Sequence, residues 1–153
     1  MEEIKYIRLN QNNMNIVPSK IIIENKNLSR QDIEKFIIDD DNYCFVGILE
    51  DKIVAFLYGY GMLRPDGKSM FYIHSVDVFE DYQNNGIGTQ LIDYVLKYVK
   101  NENKYYKFFV LAENDNIIAC KVYQKFANKE EQILFSRYLK EGWILWKIEK
   151  NTF

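Results

Sequence analysis

Histidine and cysteine are scarce in this chain. One histidine, His74, and two cysteines, Cys44 and Cys120, occur among 153 residues. A metal site built on several imidazoles and a hydrolase of the Ser-His-Asp type are therefore disfavoured. The cysteines lie far apart in apolar surroundings and lack metal-ligand spacing. They indicate inert thiols in a reduced, cytoplasmic protein without a metal.

The chain also lacks an excess of basic residues, a long apolar run and a linker rich in proline or glycine. Its formal net charge is -2, which argues against nucleic-acid binding. The apolar runs are too short to span a membrane, and the N-terminus does not resemble a secretory signal. The composition is 48% apolar and 16% aromatic. We therefore expect one compact domain over residues 1–153.

The first half of the chain predicts an antiparallel meander that follows one helix. Ser29 can cap that helix, with Asp32 three residues later, and apolar residues from Ile33 to Ile37 have helical spacing. Residues 11–27 are interpreted as a loop with an irregular helix. Strands are predicted at residues 3–9, 43–49, 53–60 and 69–79.

The second half changes to a helical period. Apolar residues from Leu91 to Val99 share one stripe and predict an amphipathic helix over residues 90–100. A strand at 105–112, a helix at 117–126 and strands at 132–139 and 143–148 follow. This order predicts an α/β fold with a mixed, mostly antiparallel sheet flanked by helices and a right-handed crossover. Exposed edge strands in the tail are compatible with a homodimer.

The loop between the strand at 69–79 and the helix at 90–100 predicts an anion site. A helix N-terminus leaves amide groups without partners and carries positive dipole charge. Gly86 and Gly88 remove side chains that would keep an anion at a distance. Amides from about Gln83 to Thr89 can then converge on phosphate oxygens. No P-loop or three-glycine dinucleotide motif is present; an ordinary tight turn is the alternative for Gly-x-Gly alone.

Two motifs resemble those of the GNAT N-acetyltransferases. Val78-x-x-x-Tyr82-Gln83-x-x-Gly86-Ile87-Gly88 before an amphipathic helix is similar to the acetyl-CoA motif of that family. Asn116-x-x-Ala119-x-x-x-Tyr123 is similar to the next helix of the family, whose tyrosine lies near the cofactor sulfur. The resemblance covers about residues 3–139 and implies the GNAT acyl-CoA N-acyltransferase fold. It departs at residues 126–128, where the family often has Gly-Phe.

The resemblance also implies a reaction and a set of site residues. Acetyl-CoA would be the cosubstrate, and a primary amine would attack it directly. The main-chain N–H of Val78 would polarise the thioester carbonyl, and Tyr123 would give a proton to the departing thiolate. The residues implied to bind the cofactor are Val76, Asp77, Val78, Gln83, Asn84, Asn85, Gly86, Ile87, Gly88, Thr89, Asn116 and Tyr123.

Carboxylates are the candidate base and acceptor-binding groups. An alkyl amine with a pKa of about 10 is mostly protonated near neutral pH, so a base must take its proton. Glu113 is the first candidate for the base and Asp115 the second. Asp39 and Asp40 border the expected acceptor cleft and would attract a polyamine-like molecule. The alternative for all four is an ordinary solvated carboxylate.

Within the family, the chain most resembles the aminoglycoside 3-N-acetyltransferases. The resemblance lies in the aromatic stretch from Tyr58 to Arg64 and in Ala112-Glu113, ten residues ahead of Tyr123. A small-molecule amine is therefore the expected partner, and no nucleic acid or membrane is expected. Three alternatives remain open: transfer to another small amine, a polyamine or a protein amino group; a non-catalytic acyl-CoA sensor; and a binding module without cofactor. Tyr60, Tyr72 and Trp143 could line the cleft, although such aromatics are more often core residues.

Overall fold

The architecture comes from a computed structural model that describes residues 2–23 and 25–140. The strands are β1 (Lys5–Arg8), β2 (Lys20–Ile23), β3 (Lys26–Ser29), β4 (Asn42–Leu49), β5 (Lys52–Met62), β6 (Met70–Val78) and β7 (Lys107–Val110). The helices are α1 (Arg30–Phe36), α2 (Ile87–Glu102) and α3 (Ile117–Tyr123), and short 3-10 turns form at Met14–Ile16 and Glu80–Tyr82. Within the described ranges, no helix has the length and apolar character needed to cross a membrane.

The main sheet contains five strands in the order β1-β4-β5-β6-β7. The pairs β1–β4, β4–β5 and β5–β6 are antiparallel, whereas β6 and β7 are parallel. Parallel neighbours need a long crossover, and α2 provides it. The predicted mixed, mostly antiparallel sheet flanked by helices is therefore confirmed.

The core has two layers because side chains alternate between the faces of the sheet. On the face covered by α2, which we call the helix face, Leu91 and Val95 pack with Phe45. On the other face, which we call the hairpin face, Ile23 and Ile33 belong to a second buried cluster. The central strands are thus buried on both faces, which explains their nearly continuous apolar sequences.

The prediction of a loop with an irregular helix at residues 11–27 is only partly right. The 3-10 turn is the irregular helix, but Ile21 to Ile23 belong to β2, which forms a two-stranded hairpin with β3. Ile21 and Ile23 are buried, whereas Ile22 is 61% exposed. Three consecutive isoleucines therefore alternate as one half-buried strand, and their identical side chains conceal that period in the sequence.

The strand predicted at residues 132–139 is wrong for the part of the chain that the structure describes. This segment is irregular, and its large apolar side chains are exposed. A β-rich sequence becomes a strand only when its amides bond to a neighbouring strand, and no described strand pairs with it. The strand predicted at 143–148, with Trp143, lies outside the described residues.

Candidate active site

The start of α2 lies directly after the end of β6 and the 3-10 turn. The first intrahelical hydrogen bond runs from the Gln90 amide to the Gly86 carbonyl, at 3.0 Å. The amides of residues 87–89 therefore precede the helical ladder. No side chain among the described residues caps this end. The helix thus offers amide donors and its positive end to an anion.

The two glycines of this loop differ in what the protein requires of them. Gly86 has a φ of 77°, the left-handed region where a side chain causes strain. Gly88 lies inside the helix, and an added Cβ would meet only the Val78 side chain, at 3.5 Å. That distance is an ordinary contact, so crowding does not explain glycine at 88. Among the described residues, no atom lies within 4 Å of a Cβ added at Gly86. The space in front of the loop is therefore open.

Hydrogen bonds from the loop's own side chains fix its shape. Gln83 Nε2 donates to the Val78 carbonyl at 3.0 Å, and Asn85 Nδ2 donates to the Gln83 carbonyl at 3.1 Å. Asn84 has a φ of 64°, which asparagine tolerates better than most residues. Residues 83–86 are all exposed. The loop is therefore built without a ligand and remains accessible to one.

Strands β6 and β7 separate halfway along β6. The last pair between them is Ile73 with Val110. In contrast, β5 stays paired with β6 as far as Val78. Residues 75–78 therefore have one edge without a strand neighbour in the described part of the chain. We call this edge of β6 the open edge.

A β-bulge at His74 marks the beginning of the open edge. Tyr58 lies opposite Ser75 and Gly59 lies opposite Ile73, so His74 has no opposite residue on β5. The strands are very close here, because a Cβ on Gly59 would overlap a carbonyl oxygen of β6. Bulges bend a strand and interrupt its pairing. The bulge therefore coincides with the separation of β6 from β7.

The bulge also changes which residues face α2. Phe71 and Ile73 before it, and Val76 and Val78 after it, all belong to the helix-face core. Regular alternation would have directed the last two to the hairpin face. The spacing of three between Ile73 and Val76 is the sequence signal for this bulge, which was not predicted.

The amides of Val76 and Val78 point toward the open edge. The Phe79 amide donates to the Val54 carbonyl of β5 at 3.0 Å. Successive amides along a strand point to opposite edges, so those of Val78 and Val76 are directed away from β5. A ligand lying in the gap between β6 and β7 would meet these main-chain donors.

Asp77 faces the hairpin instead of the open edge. Its carboxylate is 2% exposed and accepts hydrogen bonds from Lys26 Nζ at 2.8 Å and Ser75 Oγ at 2.7 Å. Lys26 also contacts Ser75 Oγ. A buried carboxylate needs such partners, and here they connect β3 to β6. The side chain of Asp77 is thus engaged in holding the hairpin, and Lys26 was not anticipated from the sequence.

Helix α3 carries two of the residues implied by the sequence motifs. Asn116 Oδ1 accepts from the Ala119 amide at 3.1 Å and caps the helix. Tyr123 is the last residue of α3, and its half-buried side chain packs against the helix-face core. The Asn116 side chain therefore stabilises the start of the helix whose last residue is Tyr123.

Glu113 and Asp115 lie in the turn between β7 and α3. Both are exposed, and the Glu113 carbonyl accepts from the Asn116 amide at 3.0 Å. Because β6 and β7 are parallel, this turn and the end of β6 lie at the same end of the sheet. The turn therefore brings Glu113 to the side of the gap opposite β6.

Asp39 and Asp40 lie in the turn between α1 and β4. Both are exposed, and the neighbouring Asp41 carbonyl accepts from the Gly61 amide of β5 at 2.6 Å. Three strand spacings, about 14 Å, separate β4 from β7. The structure does not bring these carboxylates together with Glu113. Because β4 and β7 run in the same direction, the turn before β4 and the turn after β7 also lie at opposite ends of the sheet.

Five rings cover the hairpin face between the two acidic turns. We call them the aromatic wall: Tyr58, Tyr60, Tyr72, His74 and Phe109. Tyr72 stacks on Phe109 with a centroid distance of 4.8 Å and on Tyr60 at 6.2 Å. The Tyr58 and His74 rings lie 5.0 Å apart. Burial raises the pKa of the Tyr58 and Tyr72 hydroxyls, so both remain neutral phenols. Phe109 escaped the sequence analysis because its strand was interpreted as buried.

Other groups with raised pKa values belong to the core. Burial raises the pKa of the Cys44 thiol to about 12, in agreement with an inert thiol. Burial and the hydrogen bond with Tyr105 raise the pKa of Tyr43, whose hydroxyl lies 2.7 Å from that of Tyr105. These groups hold their protons at physiological pH and supply neither an acid nor a base to the gap.

Comparison with known proteins gives one family and a group of similar folds. The profile of the acetyltransferase (GNAT) family matches residues 15–127. No curated protein sequence matches the chain. The sequence match includes the loop at 83–88 and helix α3, the two elements that carry the predicted motifs.

Solved acetyltransferase structures share the fold at low sequence identity. An aminoglycoside acetyltransferase, meta-AAC0020, from an uncultured soil metagenomic sample, in complex with sisomicin, has a TM-score of 0.76 and 24% identity, over 90% of this chain and 97% of that one. AAC(6')-Iy with the bisubstrate analogue CoA-S-monomethyl-acetylneamine has a TM-score of 0.69 and 16% identity, over 90% and 99% of the chains. A ribosomal-protein-alanine N-acetyltransferase from Brucella melitensis biovar Abortus 2308 has a TM-score of 0.67 and 16% identity, over 89% and 99%.

Proposed function

We propose that this chain, which belongs to the acetyltransferase (GNAT) family, moves an acetyl group from acetyl-CoA to a primary amine of a small cationic molecule. The observation that carries the proposal is the continuity between two features: the uncapped start of α2 and the open edge of β6. The uncapped start of α2 suits a diphosphate, and the open edge of β6 suits an extended arm with amide groups. They follow each other along the chain.

The residues at this site fit coenzyme A. Amides of residues 87–89, with the exposed loop 83–86, would hold the diphosphate. The amides of Val76 and Val78 would bond to the pantetheine arm, and that of Val78 would donate to the thioester carbonyl oxygen as negative charge develops there. When bound, acetyl-CoA supplies the activated acetyl group. The side chains of Asp77 and Asn116 have structural partners, so their roles would be to hold β6 and α3 in position.

Two residues would move protons in the reaction. Glu113 would take a proton from the ammonium form of the acceptor, directly or through water, because only the free amine is a nucleophile. Tyr123 would give a proton to the thiolate sulfur, whose pKa is about 8.5 by analogy with cysteine. The amine nitrogen forms the new bond to the acetyl carbon as the carbon–sulfur bond breaks, and the proton that this nitrogen then loses would restore the Tyr123 hydroxyl. Coenzyme A leaves as the thiol.

An aminoglycoside is the acceptor that we propose. The solved structures with similar folds include aminoglycoside acetyltransferases, one of them in complex with sisomicin. Exposed carboxylates at residues 39, 40, 113 and 115 would attract such a polycation. The test is thiol release from acetyl-CoA with sisomicin, spermidine, a lysine peptide and a simple alkyl amine, together with calorimetry of acetyl-CoA binding.

The results of these assays distinguish between the possible functions of this site. Thiol release with sisomicin supports the proposal, and release only with another amine changes the acceptor. Acetyl-CoA binding without release for any amine would indicate an acyl-CoA sensor. Absence of acetyl-CoA binding would refute the cofactor site itself.

The Tyr123→Phe variant tests the proton donor. We expect kcat to fall by about 10- to 10⁴-fold, the range for general acid–base catalysis, while the KM for acetyl-CoA stays near the wild-type value. Tyr106→Phe is the control, since Tyr106 precedes β7 and is 58% exposed. A wild-type kcat in Tyr123→Phe would assign the donor role to water or another group.

The Glu113→Gln variant tests the base through pH. We expect the greatest loss of kcat/KM near neutral pH, where the acceptor is mostly protonated. The loss should shrink as the pH approaches about 10, the pKa of the amine, because free amine becomes abundant. Glu131→Gln, at another exposed position, is the control. A loss of equal size at every pH would indicate acceptor binding instead of proton transfer.

A further inference from the structure

The aromatic wall reaches the point where β6 and β7 separate. Tyr72 and His74 flank Ile73 along β6, and Phe109 precedes Val110 along β7; Ile73 and Val110 form the last pair before the gap. On the helix face, the sheet is covered by the α2 core. A molecule that approaches the gap from the hairpin face therefore meets the wall first.

The charges around the wall favour a cation. Asp39 and Asp40 lie beyond its Tyr60 end, and Glu113 follows β7 beyond its Phe109 end. Ammonium groups are attracted to carboxylates over long range.

The shape of the wall distinguishes between cationic molecules. Tyr60, Tyr72 and Phe109 form a continuous row across three strands, with ring planes 18° and 15° apart. Rings stacked in this way turn their apolar edges outward, and Phe36 of α1 packs against the Tyr60 end of the row with a centroid distance of 5.4 Å. A molecule with several saturated rings can lay its C–H groups along these ring edges while one of its amines lies near the gap. A linear polyamine has the charges but no ring to cover the row.

We propose that the aromatic wall is the acceptor-binding surface and that it selects amines carried on saturated rings, such as amino sugars, over linear polyamines. This inference rests on the proposed function and identifies its specificity-determining residues. The contact with the rings, more than the charge of Asp39 and Asp40, gives the preference for a ringed acceptor. The carboxylates attract both kinds of amine alike.

The test replaces rings of the wall and measures two acceptors. Tyr72→Leu and Tyr60→Leu remove a ring and keep an apolar side chain, and Tyr72→Phe keeps the ring. Sisomicin is the ringed probe, and spermidine is the linear probe. Calorimetry gives the Kd of each acceptor, and thiol release gives the KM values of acceptor and acetyl-CoA. Tyr94→Leu, in an aromatic cluster on the helix face, is the matched control.

We expect Tyr72→Leu to raise the Kd and KM for sisomicin by at least fivefold and Tyr60→Leu to raise them less. Tyr72→Phe should stay within twofold of wild type, and the KM for acetyl-CoA should not change in any of the three. The Kd for spermidine should change less than twofold. Thermal unfolding of each variant checks that the sheet is intact.

Several results would overturn the proposal. Equal weakening of sisomicin and spermidine would show that the wall does not select rings. An unchanged Kd for sisomicin in a folded Tyr72→Leu variant would place the acceptor elsewhere, while thiol release by that variant would leave the acetyltransferase function standing. If the wild-type protein does not bind sisomicin, the wall does not bind this class of acceptor. Failure of the acetyltransferase proposal itself would appear separately, as absence of thiol release with every amine.

Discussion

The helices α1 and α2 begin in opposite ways. Ser29 caps α1: its Oγ accepts from the Asp32 amide at 3.0 Å and donates to the Asp32 carboxylate at 2.7 Å. Helix α2 begins at Gly86, which has no side chain to offer, and no cap is seen among the described residues. The short helix thus has a side-chain acceptor for one of its first amides, whereas the longest described helix has none among the described residues.

This difference separates a structural helix start from one suited to binding. A cap stabilises a helix by about 1 kcal/mol, and α2 lacks that contribution. The burial of five α2 residues against the sheet holds the helix without it. The helix therefore stays folded without a cap at its start. The amides that a cap would occupy are left without a side-chain acceptor among the described residues.

The largest expected effect comes from giving α2 an anion of its own. In Gly86→Glu, the new carboxylate would compete with the diphosphate for the helix amides and repel it. We expect the KM for acetyl-CoA to rise at least 10-fold, equivalent to about 1.4 kcal/mol of binding. The fold should persist, because open space surrounds Gly86.

Gly67→Glu is the control for this variant. Gly67 has a φ of 76° and equally open surroundings, so the backbone strain of about 1–2 kcal/mol is matched. Gly67 lies in the turn before β6, away from the loop at 83–88. A KM in Gly86→Glu that is no higher than in Gly67→Glu would refute the phosphate loop.

A smaller effect, confined to stability, is expected at α1. Ser29→Ala removes the side-chain oxygen that accepts from the Asp32 amide. The free energy of unfolding should fall by about 1 kcal/mol, and Ser29→Thr should recover most of it. Urea unfolding measures the change. The KM for acetyl-CoA should remain at the wild-type value; an increase would contradict the purely structural role of this helix start.

The smallest effect is expected at Gly88. An alanine there would make an ordinary contact with Val78 and has a better helix propensity than glycine. The free energy of unfolding should rise by about 0.5 kcal/mol, while the KM for acetyl-CoA rises a few-fold. Urea unfolding measures the free energy of unfolding, and steady-state kinetics measure the KM for acetyl-CoA. A lower stability would show that Gly88 is needed by the fold and not by the ligand.

The sequence predicted the elements whose signals are local. The Ser29 cap and the α2 stripe depend on residues within a turn or two, and both are found in the structure. The hairpin of β2 and β3 was missed because its two strands are four residues each and their pairing is a tertiary choice. The predicted strand at 132–139 failed for the same reason, since propensity does not specify a partner.

The candidate site was predicted as a set of residues but not as a surface. The loop at 83–88 could be proposed from the sequence because its donors are consecutive in the chain. The Lys26–Asp77 pair spans 51 positions, and the aromatic wall combines three strands. Side chains brought together by strand register leave no local pattern, and only the assembled sheet reveals them.

The bulge at His74 makes the site sensitive to one kind of mutation. Replacing His74 by another residue leaves the number of residues between Ile73 and Ser75 unchanged, so the β-bulge should persist after almost any substitution. Deleting this single position would restore regular pairing of β5 and β6 and leave Val76 and Val78 facing α2, but it would remove the bend at which β6 separates from β7. Over evolutionary time, the length of this strand should therefore be held more strictly than the identity of its central residue.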